Sequence, residues 1–316
     1  MKKIISLTLL FVAIMGVHCS DKSIRVATWN IRRAGTEKSN DLLWENRKKD
    51  VVQTIQDTLQ PDVLCLQEVV IDQINDLRQS LQEEYAYVGS PRKSHASSSN
   101  VFHWISKPFA QDEYNPIFYK KDRFNLAGSG TFNVNPAIYG SGWLPRICTW
   151  VLLEEKGEVK EEIEGKKTNK RFYVFNTHLD NSSDRARRIG LANVISEIES
   201  RSRHEIPALL LGDFNMPEED FEKFLPATPM TFAKEHALES KEGPQFTHYD
   251  WKEVIKNKGT IDATSKKTHH VDHILIDQGP TDQNSGDPLM TVESYSVMEL
   301  KNWKISDHYP VVIEIR

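Results

Sequence analysis

The chain has little cysteine. Three residues of 316 are Cys, too few for a disulfide scaffold, and no Cys–His spacing suits a zinc site. Cys65 and Cys148 lie within the apolar, strand-like runs VLCLQ and RICTW, and read as buried thiols rather than a disulfide. Fifteen Gly and fourteen Pro are too few for a collagen-like or low-complexity chain. Positive charge is not in surplus either: 40 Lys and Arg face 45 Asp and Glu, for a net charge of −5. That balance argues against long, non-specific contact with duplex DNA, where basic residues must neutralise phosphates. It leaves open an enzyme that takes phosphates singly through a metal. No composition break marks a second domain and no short-period repeat is present.

Long hydrophobic runs are scarce as well. The one candidate, 4–17 (IISLTLLFVAIMGV), follows Lys2-Lys3 and ends at His18, Cys19, Ser20, Asp21. It is short for a membrane span and has the basic start and apolar centre of an export signal. Cys19 stands where a lipoprotein signal carries its lipidated cysteine, although Gly16-Val17-His18 is not the usual run of small residues before one. Lipidation, plain secretion and an uncleaved anchor all stay open. Residues 1–20 are therefore expected to be an export or lipoprotein signal and 21–316 one domain. The expected location is periplasmic, outer-membrane-attached or secreted. Losing the two lysines leaves 38 basic against 45 acidic residues.

Apolar patterning in the rest alternates between two periods. Strands are expected at 24–29, 62–67, 114–119, 124–132, 147–154, 171–177, 207–212, 271–276, 290–297 and 310–315. Helical spacing runs through 44–59, ended by Pro61, through Ile71, Ile74, Leu77 and Leu81, and from a Ser182 or Ser183 cap through Leu191, Val194, Ile195 and Ile198. Strands outnumber helices and several are adjacent. That fits stacked mixed sheets with helices outside better than one regular parallel sheet. Two polar stretches, 90–112 and 278–288, read as loops.

Chemistry enters where polar groups interrupt the ends of apolar strands. ATWN ends at Asn30, VLCLQE at Glu68, and VFNTHLD carries His178 and Asp180. ALLLGDFN carries Asp213 and Asn215, HVDHILI carries Asp272, and ISDHYPV carries Asp307 and His308. A carboxylate, amide or imidazole at such a half-buried place must be paired or functional. The set is rich in hard oxygen donors, which suit Mg²⁺ or Mn²⁺, and its imidazoles can move protons. The residues alone thus point to metal-assisted hydrolysis of a phosphate ester.

In order, ATWNIRR, CLQEV, NTHLD, GDFN, VDHILI and SDHYPV resemble the endonuclease/exonuclease/phosphatase superfamily, the DNase I-like group, over about 24–316. EYNPIFYKKDRF and GWLPRICTWVLLE resemble an exported bacterial branch of it. The resemblance implies an α/β (α+β) fold: a four-layer αββα sandwich, two mixed sheets face to face with outer helices and the site at one end. It implies Glu68 as main metal ligand with Asn30 and Asp307 beside it, and Asp213 as the group that orients or deprotonates water. It implies Asn215 as the amide holding the phosphate, and His308 with its partner Asp272 as stabiliser of the pentacovalent phosphate. His178 would be a second histidine, with Glu113 orienting it. Arg146 is a candidate for substrate phosphate, with a structural ion pair as the rival reading. Trp104, in a loop mixing basic and aromatic residues, is a candidate substrate lip.

The expected function is a Mg²⁺-dependent (or Mn²⁺-dependent) phosphodiesterase acting on short or single-stranded nucleic acid, a nucleotide or another small phosphate ester. The same-class alternatives are a phosphomonoesterase and a lipid-headgroup or inositol-phosphate hydrolase. A non-catalytic binding protein on the same fold is the different-class alternative. A monomer without a stable protein partner is expected, and membrane attachment through a lipidated Cys19 stays open.

Overall fold

Two pairs of parallel strands, each joined by a helix, organise the protein. The computed structural model describes residues 23–316 except 38, 96–111, 136–144, 158–160, 164–165, 169, 222–227 and 283–285. The expected signal, with Cys19, and Trp104 lie outside the described residues. The strands of the two large sheets, in chain order, begin with β1 (Ile24–Asn30), β2 (Val63–Gln67), β3 (Tyr85–Val88), β4 (Ile117–Lys120), β5 (Phe124–Asn133) and β6 (Ile147–Glu155). They continue with β7 (Arg171–His178), β8 (Ala208–Asp213), β9 (Thr231–Phe232), β10 (Glu239–Ser240), β11 (Asp272–Asp277), β12 (Val292–Val297) and β13 (Val311–Ile315). The main helices are α1 (Trp44–Gln53), α2 (Ile71–Leu81) and α3 (Asp184–Ser202).

The first sheet runs β10-β12-β13-β1-β2-β4-β3 and the second β9-β11-β8-β7-β6-β5. In the first, β1 and β2 are parallel and β13 and β4 flank them antiparallel. In the second, β7 and β8 are parallel, flanked antiparallel by β6 and β11. Parallel neighbours need a crossover; α1 supplies it between β1 and β2, and α3 between β7 and β8.

Strand alternation builds the layers. Phe172 and Val174 of β7, Leu209 and Leu211 of β8, and Ile274 and Ile276 of β11 join the core shared with the first sheet. Their neighbours Tyr173, Phe175, Ala208, Leu210 and Leu275 face the other way, onto Leu191, Val194, Ile195 and Ile198 of α3. Val51 of α1 and Ile74, Leu77 and Leu81 of α2 pack with the first sheet. The result is the αββα sandwich. Burial on both faces explains why β8 reads as a continuous apolar run.

Local differences from the sequence reading have simple causes. The helix expected over 44–59 is α-helical only to Gln53; Thr54–Leu59 widens to a π-turn, and the left-handed Gln60 (φ 43°) stops it before Pro61. The strands β3, β9 and β10 were not expected. They are edge strands of two to four residues, too short to show a period. Cys65 and Cys148 are buried free thiols.

Candidate active site

Strand direction decides what meets at one end of the sandwich. The C-terminal ends of a parallel pair share an edge, and antiparallel neighbours bring their N-terminal ends to it. In the second sheet this register sets His178, Asp213 and Asp272 side by side. In the first, Asn30 ends β1 opposite Gln67, Glu68 follows, and Asp307 and His308 precede β13. The sheets are stitched there. Asn30 Nδ2 donates to Asp213 Oδ2 at 3.0 Å, and one step deeper Gln67 Nε2 donates to Asn176 Oδ1 at 2.7 Å.

Three of these strand ends turn through left-handed backbone: Arg32 (φ 58°), Glu68 (φ 60°) and Asn215 (φ 50°). Such conformations cost roughly 1–3 kcal/mol each and cluster at functional sites. Gly212, just before Asp213, has no alternative: a Cβ there would lie 1.9 Å from the Thr177 carbonyl oxygen.

His308 Nδ1 lies 2.8 Å from Asp272 Oδ2, and its Nε2 is 3.8 Å from Asp213 Oδ2. Burial alone would lower the pKa of His308; the carboxylates of Asp272 and Asp213, with the Asp272 hydrogen bond, push it up to about 10. This imidazole is therefore protonated at neutral pH. His178 is the opposite case, with Nε2 3.6 Å from Asp213 Oδ2. Burial and then the Arg146 guanidinium push its pKa down to about 4, against Asp213 and Glu68. Its Nδ1 is buried with no hydrogen-bond partner among the described residues. Asp213 is fixed on its other oxygen by the backbone N–H of Asn215 at 2.8 Å, and Asn215 Nδ2 donates to the Leu179 carbonyl at 3.1 Å.

Glu68 accepts the backbone N–H of Arg33 at 3.0 Å. Burial works to raise its pKa, but Arg32, His178, that N–H and His308 hold it well below the usual carboxylate range; of the side chains, Arg32 and His308 carry charge at neutral pH. Asp307 Oδ2 is 3.3 Å from Arg32 Nη1, and its Oδ1 is buried with no hydrogen-bond partner among the described residues.

A divalent cation fits this corner by donor type. Glu68, Asp307 and the Asn30 amide offer oxygens, and an orphaned buried carboxylate oxygen is what an oxygen-seeking ion satisfies. A second grouping, Asp213, Asp272 and His308, has ligand atoms within 4.8 Å of one another. It is the poorer metal site, because Asp272 already engages His308 and a protonated imidazole cannot ligate. Two clefts of about 580 and 660 Å³ are lined by other residues.

One expected contact is corrected. Glu113 does not orient His178: its carboxylate accepts from Arg33 Nη1 at 2.7 Å and Arg92 Nη1 at 2.9 Å. It pairs with Val70 in a short two-stranded ladder, which turns it toward those arginines. Arg146 is buried 3.9 Å from Asp180, in a small cavity shared with Arg92, Glu113, Asn115 and His178. Both its rival readings keep their geometric footing.

Sequence reasoning missed four participants. Arg47 is buried, donating to the carbonyls of Ile31, Arg32, Leu42 and Ile305. Its spacing from Trp44 and Val51 put an arginine on an apolar helix face, a signal that was readable. Arg32 bridges Glu68 and Asp307. The Thr247 hydroxyl accepts the backbone N–H groups of Val271 and Asp272. The His248 ring lies 4.7 Å from that of His308. Neither Thr247 nor His248 carried a sequence signal.

Residues 27–308 match the model of the Endonuclease/Exonuclease/phosphatase family. Human nocturnin is 24% identical over 312 residues, covering 92% of this chain and 64% of nocturnin. The chain thus spans about two thirds of that relative's length. A solved endonuclease/exonuclease/phosphatase from Bacteroides vulgatus superposes with a TM-score of 0.70 at 25% identity, over 93% of this chain and 99% of that one. A mannosyl-6-phosphatase from Bacteroides thetaiotaomicron superposes at 0.66 with 23% identity, over 93% and 100%.

Proposed function

The chain belongs to the Endonuclease/Exonuclease/phosphatase family, and on that premise we propose that it is a metal-dependent hydrolase of phosphate esters. The substrate class we propose is a phosphodiester of short or single-stranded nucleic acid or a nucleotide-like molecule. The observation that carries the activity is the polarised arrangement around Asp213: a protonated His308 held by Asp272 on one side, a neutral His178 on the other, and Asn30 anchoring the carboxylate.

Each residue then has a task. Asp213, oriented by Asn30 and by the backbone N–H of Asn215, accepts a proton from the attacking water. His308, its tautomer and orientation fixed by Asp272, directs its Nε2–H at a phosphoryl oxygen as charge builds there. His178, neutral at working pH, offers one more hydrogen bond to the substrate. The second N–H of the Asn215 amide does the same. Glu68, Asn30 and Asp307 would hold Mg²⁺ or Mn²⁺, which would withdraw charge from the phosphoryl group when bound. Arg146 remains a candidate for substrate phosphate and Trp104 for the substrate lip.

The acidic balance supports the choice among substrates: it disfavours the multi-phosphate contact of duplex binding and tolerates a single phosphate held locally. Export, with 1–20 as signal and Cys19 as an attachment point, is proposed on the basic start and apolar run of the N-terminus.

A substrate panel tests the proposal: single-stranded and duplex oligonucleotides, nucleotides, sugar and inositol phosphates, and phospholipids, each with Mg²⁺, Mn²⁺ or chelator. Cleavage of single strands or nucleotides is expected, abolished by chelation and by Glu68→Ala. Cleavage of monoesters alone overturns the diester assignment. No cleavage of any ester with either ion overturns the hydrolase.

A further inference from the structure

Arg32 lies within the ATWNIRR run but was given no role there, yet its side chain reaches two of the expected site residues. Nη1 lies 3.3 Å from Asp307 Oδ2 and 4.0 Å from Glu68 Oε2. These carboxylates come from different strand ends, one after β2 and one before β13. One guanidinium charge is therefore shared between two carboxylates.

The backbone and the side chain of this residue are held very differently. Arg32 is left-handed (φ 58°). Its N–H donates to Asn30 Oδ1 at 3.0 Å, and its carbonyl accepts from Arg47 Nη2 at 2.5 Å and Gln73 Nε2 at 3.0 Å. The side chain is 34% exposed. Its Nε has no hydrogen-bond partner among the described residues, and the guanidinium lies 5.8 Å over the Trp251 ring. A pinned main chain thus carries a partly exposed head group held by the two carboxylates and the Trp251 face.

Resting on the metal reading above, we infer that Arg32 is a built-in counter-cation competing with the divalent ion for Glu68 and Asp307. A guanidinium and a divalent cation seek the same two carboxylates, and close coordination of the ion requires the guanidinium to withdraw. The arrangement keeps two facing carboxylates stable together without the ion. The cost is weaker metal affinity, which makes binding reversible at moderate ion concentration.

Mn²⁺ titration of chelator-stripped protein, with free Mn²⁺ read by its electron paramagnetic resonance signal, tests this without any turnover. Arg32→Gln should bind Mn²⁺ about two- to fivefold more tightly than wild type, the range set by partly exposed ion pairs. Arg32→Lys, which keeps the charge, should stay near wild type, and Arg32→Met serves as a second neutral variant if Arg32→Gln does not fold. Thermal melts should show more Mn²⁺ stabilisation in the neutral variant than in wild type, an asymmetry that general loosening would not produce. Unchanged or weaker Mn²⁺ binding in the neutral variants, with Glu68→Ala abolishing it, overturns the competition alone. No Mn²⁺ binding by wild type overturns the metal reading and the competition with it.

Discussion

Arg47 offers the sharpest test of how the site is held. Its side chain, 1% exposed, donates to Leu42 O at 3.0 Å, Ile31 O at 2.5 Å, Ile305 O at 3.0 Å and Arg32 O at 2.5 Å. It also reaches Glu37 at 3.3 Å and is sandwiched between the faces of Trp44 and Trp251, at 5.3 and 5.6 Å. Ile31 and Arg32 follow Asn30, and Ile305 precedes Asp307 and His308, so one guanidinium ties together the first sheet's share of the site. Arg47→Met keeps the length and removes the donors. Arg32 O retains Gln73, which leaves three carbonyls without these bonds. At about 1–3 kcal/mol for each buried group left unsatisfied, the gross loss is several kcal/mol. Part is offset because the guanidinium no longer has to be buried, although Glu37 loses its cation, and burial already lowers the Arg47 pKa. A net loss of about 3 kcal/mol follows, or roughly 1 M in urea midpoint for a slope near 3 kcal/mol/M. Displacement of the two segments by about 1 Å should reduce turnover roughly a hundredfold. Urea unfolding followed by tryptophan fluorescence and turnover of a nitrophenyl phosphodiester measure the two effects. A variant within about 0.5 kcal/mol of wild type and with unaltered turnover would refute the clamp.

Two further outcomes follow from the same geometry. Asp272→Asn should lower turnover by about 10²- to 10⁴-fold with little change in melting temperature, because the amide keeps the shape and loses the charge that orients His308; wild-type turnover would sink the pairing. His273, packed against Phe214, Phe221 and Phe232 with Nε2 2.9 Å from Met216 O, is pushed down to about 3 by burial. The unfolded chain takes up that proton below about pH 6.5 and the folded protein does not. Stability is thus full above that pH and falls as pH drops toward 3, by at most about 1.4 kcal/mol per unit. His178, pushed down to about 4, contributes with the same sign. His273→Phe should therefore flatten, without abolishing, the acid slope of urea midpoints; an identical slope would show that the imidazole is protonated in the folded state.

What was readable in the sequence has a common physical origin. Strands buried on both faces, such as β8 with ALLLGD, must be apolar throughout, so the polar residue that ends them stands out. That contrast exposed Asn30, Glu68, Asp213, Asp272 and the 307–308 pair. Where an element is half-buried or at an edge, the contrast is lost. Tyr85–Val88 and the short strands at 231–232 and 239–240 left no trace. Contacts between distant loops were also hidden. Glu113 follows the register of a two-residue ladder with Val70, and nothing local to EYNPIFY encodes that its partners are Arg33 and Arg92. Arg47 was within reach of helical-face reasoning, had a charged residue on an apolar face been treated as a signal rather than as solvated.

The candidate site is a seam, and this constrains how it can fail. Asn30, Glu68, Asp307 and His308 arrive from the first sheet; His178, Asp213, Asn215 and Asp272 arrive from the second. The decisive contacts cross between them: Asn30 to Asp213 at 3.0 Å, His308 to Asp272 at 2.8 Å and His308 to Asp213 at 3.8 Å. Neither sheet alone holds both an imidazolium and the carboxylate that charges it. Sliding one sheet over the other by the length of a hydrogen bond would remove the carboxylates that raise the His308 pKa against its burial and leave Asp272 buried and alone. The face-to-face packing of Leu209, Leu211, Ile274 and Ile276 against the first sheet is therefore part of the chemistry, since it fixes the distance at which the two halves become one site. It follows that substitutions in this inter-sheet core should lower turnover before they lower the melting temperature far, whereas substitutions beneath α3, on the outer face, should do the reverse.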